Sequence, residues 1–354
     1  MRMQVLAVSL MSMAALSLPA FSADRFERVF AWGRVTDEAS ARAYAEIGVT
    51  DVTASGTNGF AAAKKFGLRA YCGFFPCGAH SQVLNAAERQ HLDFLNAADL
   101  RKQLSREELA AKVDERLRES RCQFGGEPVS ALDVCPELIA CFTSDAGFEK
   151  SKERIRKTLR ENPLADGIAF DYIGYVNLHS CECADCKAGL AAYLKERGVA
   201  ESEQTRNEFY RTALVTYINA MVDCAKVTRP GLKVAIHLYP AFAPDPLYGK
   251  YLKADYIEQT VAWYFQWPDE KICDYTRRIV GEPHLPGSES MPFVGLSATP
   301  GKALAYKSPE RFEDELRLIL KAGGRSVAVC NGGDLLKPGY REALMKFTAK
   351  ARRP

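Results

Sequence analysis

Short apolar runs alternate with amphipathic stretches along most of this chain. RVFAWGRV (Arg28 to Val35) reads as a strand, and Asp37 to Ile47 as a helix capped by Thr36 or Asp37. Val49 to Ser55 and Leu68 to Phe75 read as strands two and three, with a short helix from Gly59 to Phe66 between them. Asp145 to Arg160 is a helix carrying charge on one side and Phe148, Ile155 and Leu159 on the other. Gly167 to Ile173 is strand four, apolar on both faces as a buried parallel strand is. Helical patterns follow at Cys186 to Gly198 and Asn207 to Lys226. Lys233 to Tyr239, Ile257 to Gln266, Met291 to Ser297 and Ser326 to Cys330 are strands five to eight, interleaved with helices at Asp269 to Val280 and Pro309 to Ala322 and closed by Arg341 to Ala351.

Eight such strands alternating with helices predict a (β/α)8 TIM barrel, whose site lies at the C-terminal ends of the strands. An open doubly wound sheet would also alternate, but no GxGxxG turn follows the first strand. The rhythm breaks once, at about residues 77–130. That polar stretch, with a helix near Arg106 to Arg118, reads as an insertion on the exit of strand three, where long loops shape or cover sites.

The first residues carry one positive side chain near the start, an apolar run from Val5 to Leu18 and small residues at Ala20, Ser22 and Ala23. This is the pattern of a secretory signal covering residues 1–22, cleaved after about Ser22 or Ala23, and it places residues 23–354 in one exported barrel domain, secreted or periplasmic. No later stretch is long and apolar enough to cross a bilayer. A formal net charge of +3 with interspersed signs gives no reason to expect nucleic acid as a partner.

Only residues at strand exits can face the site. They include Trp32, Arg34, Asp171, Tyr172, Tyr175, His237, Tyr239, the run Trp263, Tyr264, Phe265, Gln266, Trp267, and Asn331. Aromatic faces beside a few polar groups suit a sugar ring, so an oligosaccharide or polysaccharide is the expected substrate. Asp171 is the expected catalytic residue, because glycoside hydrolysis uses a pair of carboxyl groups. No second carboxyl stands out among Glu182, Asp245, Asp269, Glu270 and Asp334. A barrel that binds sugar without cleaving it fits the same residues.

Eleven cysteines in an exported chain are an odd number, so at least one has a fate other than an internal disulfide. Cys181, Cys183 and Cys186 fall in a CxCxxC spacing that sets three thiolates within reach of one ion. Cys135 is the expected fourth ligand of a structural Zn2+, with Cys141 and His179 as alternatives and disulfides as the competing fate.

Cys135-Pro136 and the later HSCECADCKAGLAAYLKERG resemble the Cys-Pro and CxCxxC-helix elements of the zinc-carrying β-galactosidases of glycoside hydrolase family 42. DGIAFDYIGY is similar to glycoside-hydrolase-like barrel proteins more broadly. The resemblance, confined to about Ala131 to Gly198, implies a TIM barrel, a carbohydrate substrate and zinc on Cys135, Cys181, Cys183 and Cys186. It does not carry over the family's catalytic pair. Ile173 stands where the acid Glu belongs after strand four, and Gly295, Leu296 and Ser297 stand where the nucleophile belongs after strand seven, with Glu289 at the opposite end.

Overall fold

A computed structural model describes residues 25–76, 123–124, 127–128, 142–143, 145–173, 184–238, 246–262, 268–296 and 307–348. Eight parallel strands close into a barrel in sequence order. They are β1 (Arg28–Val35), β2 (Asp51–Ala54), β3 (Arg69–Phe74), β4 (Gly167–Ile173), β5 (Lys233–Leu238), β6 (Tyr256–Ala262), β7 (Glu289–Gly295) and β8 (Ser326–Cys330), with β8 paired back onto β1. The helices are α1 (Glu38–Glu46), α2 (Gly56–Lys65), α3 (Asp145–Glu161), α4 (Ala184–Arg197), α5 (Glu203–Thr228), α6 (Asp269–Gly281), α7 (Pro309–Lys321), α8 (Gly332–Leu335) and α9 (Tyr340–Met345). No helix of the described residues is long and apolar enough to cross a membrane.

Local chemistry sets the helix starts. Asp37 and Ser40 form a reciprocal capping box on α1, and Ser202 and Thr205 do the same on α5. Ser308 caps α7 ahead of Pro309, whose ring fits the first helical turn. The signal segment, almost all of the predicted insertion and its Arg106 to Arg118 helix lie outside the described residues. The pattern did not reveal α8, a single turn after β8.

The barrel's N-terminal end is plugged by charge. Asp51 on β2 is wholly buried and receives Arg28 Nη1 at 3.2 Å, Arg69 Nη2 at 2.8 Å, the Tyr71 hydroxyl at 3.0 Å and the Thr50 hydroxyl at 2.7 Å. Arg28 also reaches Glu289 on β7 at 3.3 Å and lies over the Tyr256 ring at 4.4 Å. A carboxylate with that many donors keeps its hydrogen bonds without water. Above the plug the interior is lined by Phe30, Ala169, Ala235, Met291 and Ala328, with Glu258 of β6 among them.

Glycines admit two close approaches that hold the strands in place. At Gly167 a Cβ would strike the Tyr71 ring, and at Gly332 it would meet the Gly33 Cα at 2.5 Å. The second approach presses the start of α8 against β1. The chain enters α8 through Asn331 at φ 61°, a left-handed conformation that a short polar side chain tolerates.

Candidate functional site

Ladder irregularities collect at the exit ends of three strands. Register shifts fall between Ala31 and Val35 of β1, between Phe170 and Ile173 of β4, and between Thr260 and Ala262 of β6. Bulges at a barrel rim re-aim side chains, and these flank Trp32, Asp171 and Thr260.

Alternation along each strand turns Trp32, Asp171, His237, Thr260 and Phe293 inward at this end. His237 stacks on Phe293, with centroids 3.7 Å apart and planes at 13°, and its ring lies 6.0 Å from that of Trp32. These three rings make a floor across the mouth. His237 is 1% exposed and uses both ring nitrogens: Nδ1 lies 2.7 Å from Asp171 Oδ1 and Nε2 lies 3.0 Å from Thr260 Oγ1. With the carboxylate accepting, Nδ1 carries the hydrogen, and Nε2 shares a hydrogen bond with the Thr260 hydroxyl, which also reaches the Leu238 carbonyl at 3.4 Å. Asp171, 18% exposed at its side chain, is therefore held from below by His237.

A second carboxyl sits in the same interior. Glu258 on β6 is fully buried, register-paired with His237 on one side and Met291 on the other, and its Oε2 accepts from the Trp32 indole. Its Oε1 has no hydrogen-bond partner among the described residues. Burial pushes this carboxyl well above the ordinary range; the negative charges of Asp171 and Asp51 add to the rise, and the indole hydrogen bond opposes it.

The remaining expected site residues divide by position. Trp32 is half-buried in the floor; exposed Arg34 donates to Ser55 Oγ at 2.8 Å; Asn331 lies at the exit of β8 with a buried Oδ1 that has no partner among the described residues. Tyr172 belongs to β4 beside the bulge. Tyr175, Tyr239, Trp263, Tyr264 and Trp267 lie outside the described residues, as do Cys135, Cys181 and Cys183. Cys186 is described: it is buried in the first turn of α4, its Sγ 3.1 Å from Thr143 Oγ1. Among the described residues no group of three or more metal-ligating side chains gathers.

Three residues of this site were not among those expected: Glu258, Thr260 and Phe293. The signal for the first two was present in YIEQTVA, where an acid and a hydroxyl two apart share one face of a strand buried throughout. Attention to strand exits alone passes over it. His237, expected to touch substrate, is hydrogen-bonded to Asp171 and Thr260.

A scan against protein-family models finds no match, and no curated protein matches. Among solved structures, the chain is similar to the PgaB (BpsB) glycoside hydrolase domain from Bordetella bronchiseptica at a TM-score of 0.53 and 10% identity, over 92% of this chain and 99% of that one. It is also similar to a catalytic mutant of a GH42 β-galactosidase from G. stearothermophilus, at a TM-score of 0.52 and 12% identity, over 94% of this chain. A β-galactosidase from the psychrophilic Marinomonas ef1 gives a TM-score of 0.53 and 9% identity over 90%. The chain spans 58% of the length of each β-galactosidase. At such identities the likeness is one of fold: these neighbours are TIM-barrel glycoside hydrolases, and this chain has their barrel.

Proposed function

We propose that this chain is an exported glycoside hydrolase acting on an oligosaccharide or polysaccharide, with Asp171 as nucleophile or base. The observation that carries the reading is the Asp171–His237–Thr260 chain, which holds an oriented carboxylate at the exit end of a barrel floored by aromatic rings. In this reading His237 holds Asp171 in one rotamer. Trp32, Tyr172 of β4 and the aromatic residues that follow β4, β5 and β6 in sequence, Tyr175, Tyr239, Trp263, Tyr264 and Trp267, stack on the sugar, and Arg34 and Asn331 meet its hydroxyls. A structural zinc on Cys135, Cys181, Cys183 and Cys186 would fix the loop between β4 and α4. Buried Cys186 at the start of α4 suits a ligand that ties that loop to the barrel wall, and the metal would take no part in bond cleavage.

A non-catalytic sugar-binding barrel is the second reading. It is favoured by Ile173, Gly295 and Leu296, which stand where family 42 enzymes carry their acid and nucleophile. Asp171→Asn separates the two when the full chain is screened on aryl glycosides and on plant and host glycans. Hydrolysis is expected from the wild type and at least a hundred-fold loss from the variant at unchanged thermal stability. Glycan binding with no turnover in either protein refutes the hydrolase reading.

A further inference from the structure

Glu258 is the buried acid to which the Asp171-centred reading gives no role. Ionising a carboxyl enclosed on all sides costs several kcal/mol unless a cation compensates it. Among the described residues no cation compensates it: its charged neighbours are Asp171 and Asp51, both acids, and His237 is hydrogen-bonded to Asp171. A protonated carboxyl has one O–H to donate. The Trp32 indole already donates to Oε2, so the proton belongs on Oε1, the oxygen that has no partner among the described residues. An O–H without an acceptor inside a folded chain is itself unfavourable, and a ligand oxygen would relieve it.

Small side chains line the barrel interior beneath the rings. Interior neighbours one strand-repeat away are small: Ala169 below Asp171, Ala235 below His237 and Ala328 below Cys330. Gly73 on β3 faces inward, two residues beyond Tyr71, whose hydroxyl reaches Asp51 inside the barrel. A Cβ at Gly73 would meet nothing within 4 Å, and the glycine is exposed, so no β3 side chain closes the floor at this position.

We propose that Glu258 is the general acid of this site, its Oε1–H protonating the glycosidic oxygen while Asp171 acts at the anomeric carbon. This rests on the hydrolase reading and completes its carboxyl pair. As the bond from the anomeric carbon to oxygen breaks, its electron pair leaves on the oxygen, which takes the Glu258 proton and departs as an alcohol. Asp171 either bonds to the anomeric carbon or takes a proton from the water that does. In the first case water then cleaves the glycosyl ester and returns its proton to Glu258; in the second, the Asp171 proton returns through solvent.

The test compares Glu258→Gln with wild type and Asp171→Asn on two glycosides of one sugar, a phenyl glycoside and a dinitrophenyl glycoside. The amide still accepts from the indole, and thermal melting checks folding; Glu258→Asp serves if the amide does not fold. Glu258→Gln is expected to lose about 10²–10⁴-fold on the phenyl glycoside and far less on the dinitrophenyl one, whose leaving group needs no proton. Asp171→Asn is expected to lose on both. Infrared spectra at neutral pH are expected to show a protonated carboxyl band in wild type that Glu258→Gln lacks. Full phenyl-glycoside activity in Glu258→Gln beside an inactive Asp171→Asn overturns the role of Glu258 and leaves the hydrolase reading standing. Absence of the infrared band overturns it whatever the activity, and a wild type that cleaves no glycoside overturns both.

Discussion

Replacing Glu258 with glutamine changes the pH dependence of stability in a direction fixed by where this side chain sits. The carboxyl is held above its ordinary value of 4.5 in the folded chain, first by burial and then by the charges of Asp171 and Asp51. The unfolded chain releases that proton near 4.5, and the folded chain keeps it to higher pH. The contribution of Glu258 is therefore present in full below the unfolded value and is lost as pH rises toward the folded value. One proton of difference makes the slope about 1.4 kcal/mol per pH unit, so two units inside this window amount to about 3 kcal/mol. Glutamine has no such slope. Urea unfolding of both proteins at unit steps from pH 4 to pH 8 measures the difference. The stability of Glu258→Gln relative to wild type should climb across the window. A difference that does not change with pH would show that Glu258 ionises when folded as it does when unfolded, and a difference of opposite slope would mean that the ionised form is stabilised.

Gly332→Ala sets a Cβ against the Gly33 backbone, which has no flexible end to give way, so β1 must shift. A lowered melting temperature and a change in tryptophan fluorescence are expected, and unchanged values of both would refute the contact. Lys307 and Glu315 are both buried and joined at 2.7 Å, with burial lowering the Lys307 pKa. Glu315→Leu alone should cost about 3–5 kcal/mol in urea unfolding by stranding the ammonium, while Lys307→Met combined with Glu315→Leu should recover most of it. Asp37→Ala removes the oxygen that accepts from the Ser40 amide and should cost about 1 kcal/mol. Metal analysis of the purified chain should find one zinc per molecule, lost together in Cys183→Ser; a metal-free chain of unchanged stability would remove the zinc proposal.

The sequence made the barrel legible because parallel strands buried on both faces leave compact apolar runs, and each expected strand overlaps an observed one. Boundaries moved where tertiary contacts decide them: α5 begins at Glu203 through its Ser202 cap rather than at Asn207, and α9 ends at Met345. Asp171 was legible because a carboxylate at the end of an apolar strand stands out. Glu258 was not, since within YIEQTVA the acid resembles an ordinary outward-facing polar residue until the ring closes and every position becomes interior. The bonds of His237 to Asp171 and Thr260 join three strands and leave no mark in any one stretch of sequence.

The ring is sealed by β8 lying against β1, so the first and last strands of the domain are neighbours. A chain emerging from its N-terminus therefore holds an unclosed sheet until residues 326–330 are in place, and until then Glu258 stands in water as an ionised side chain above pH 4.5. Sealing the final seam should draw protons from solution. Refolding in weakly buffered dye would register that uptake in the same kinetic phase as closure, and in Glu258→Gln it would be smaller.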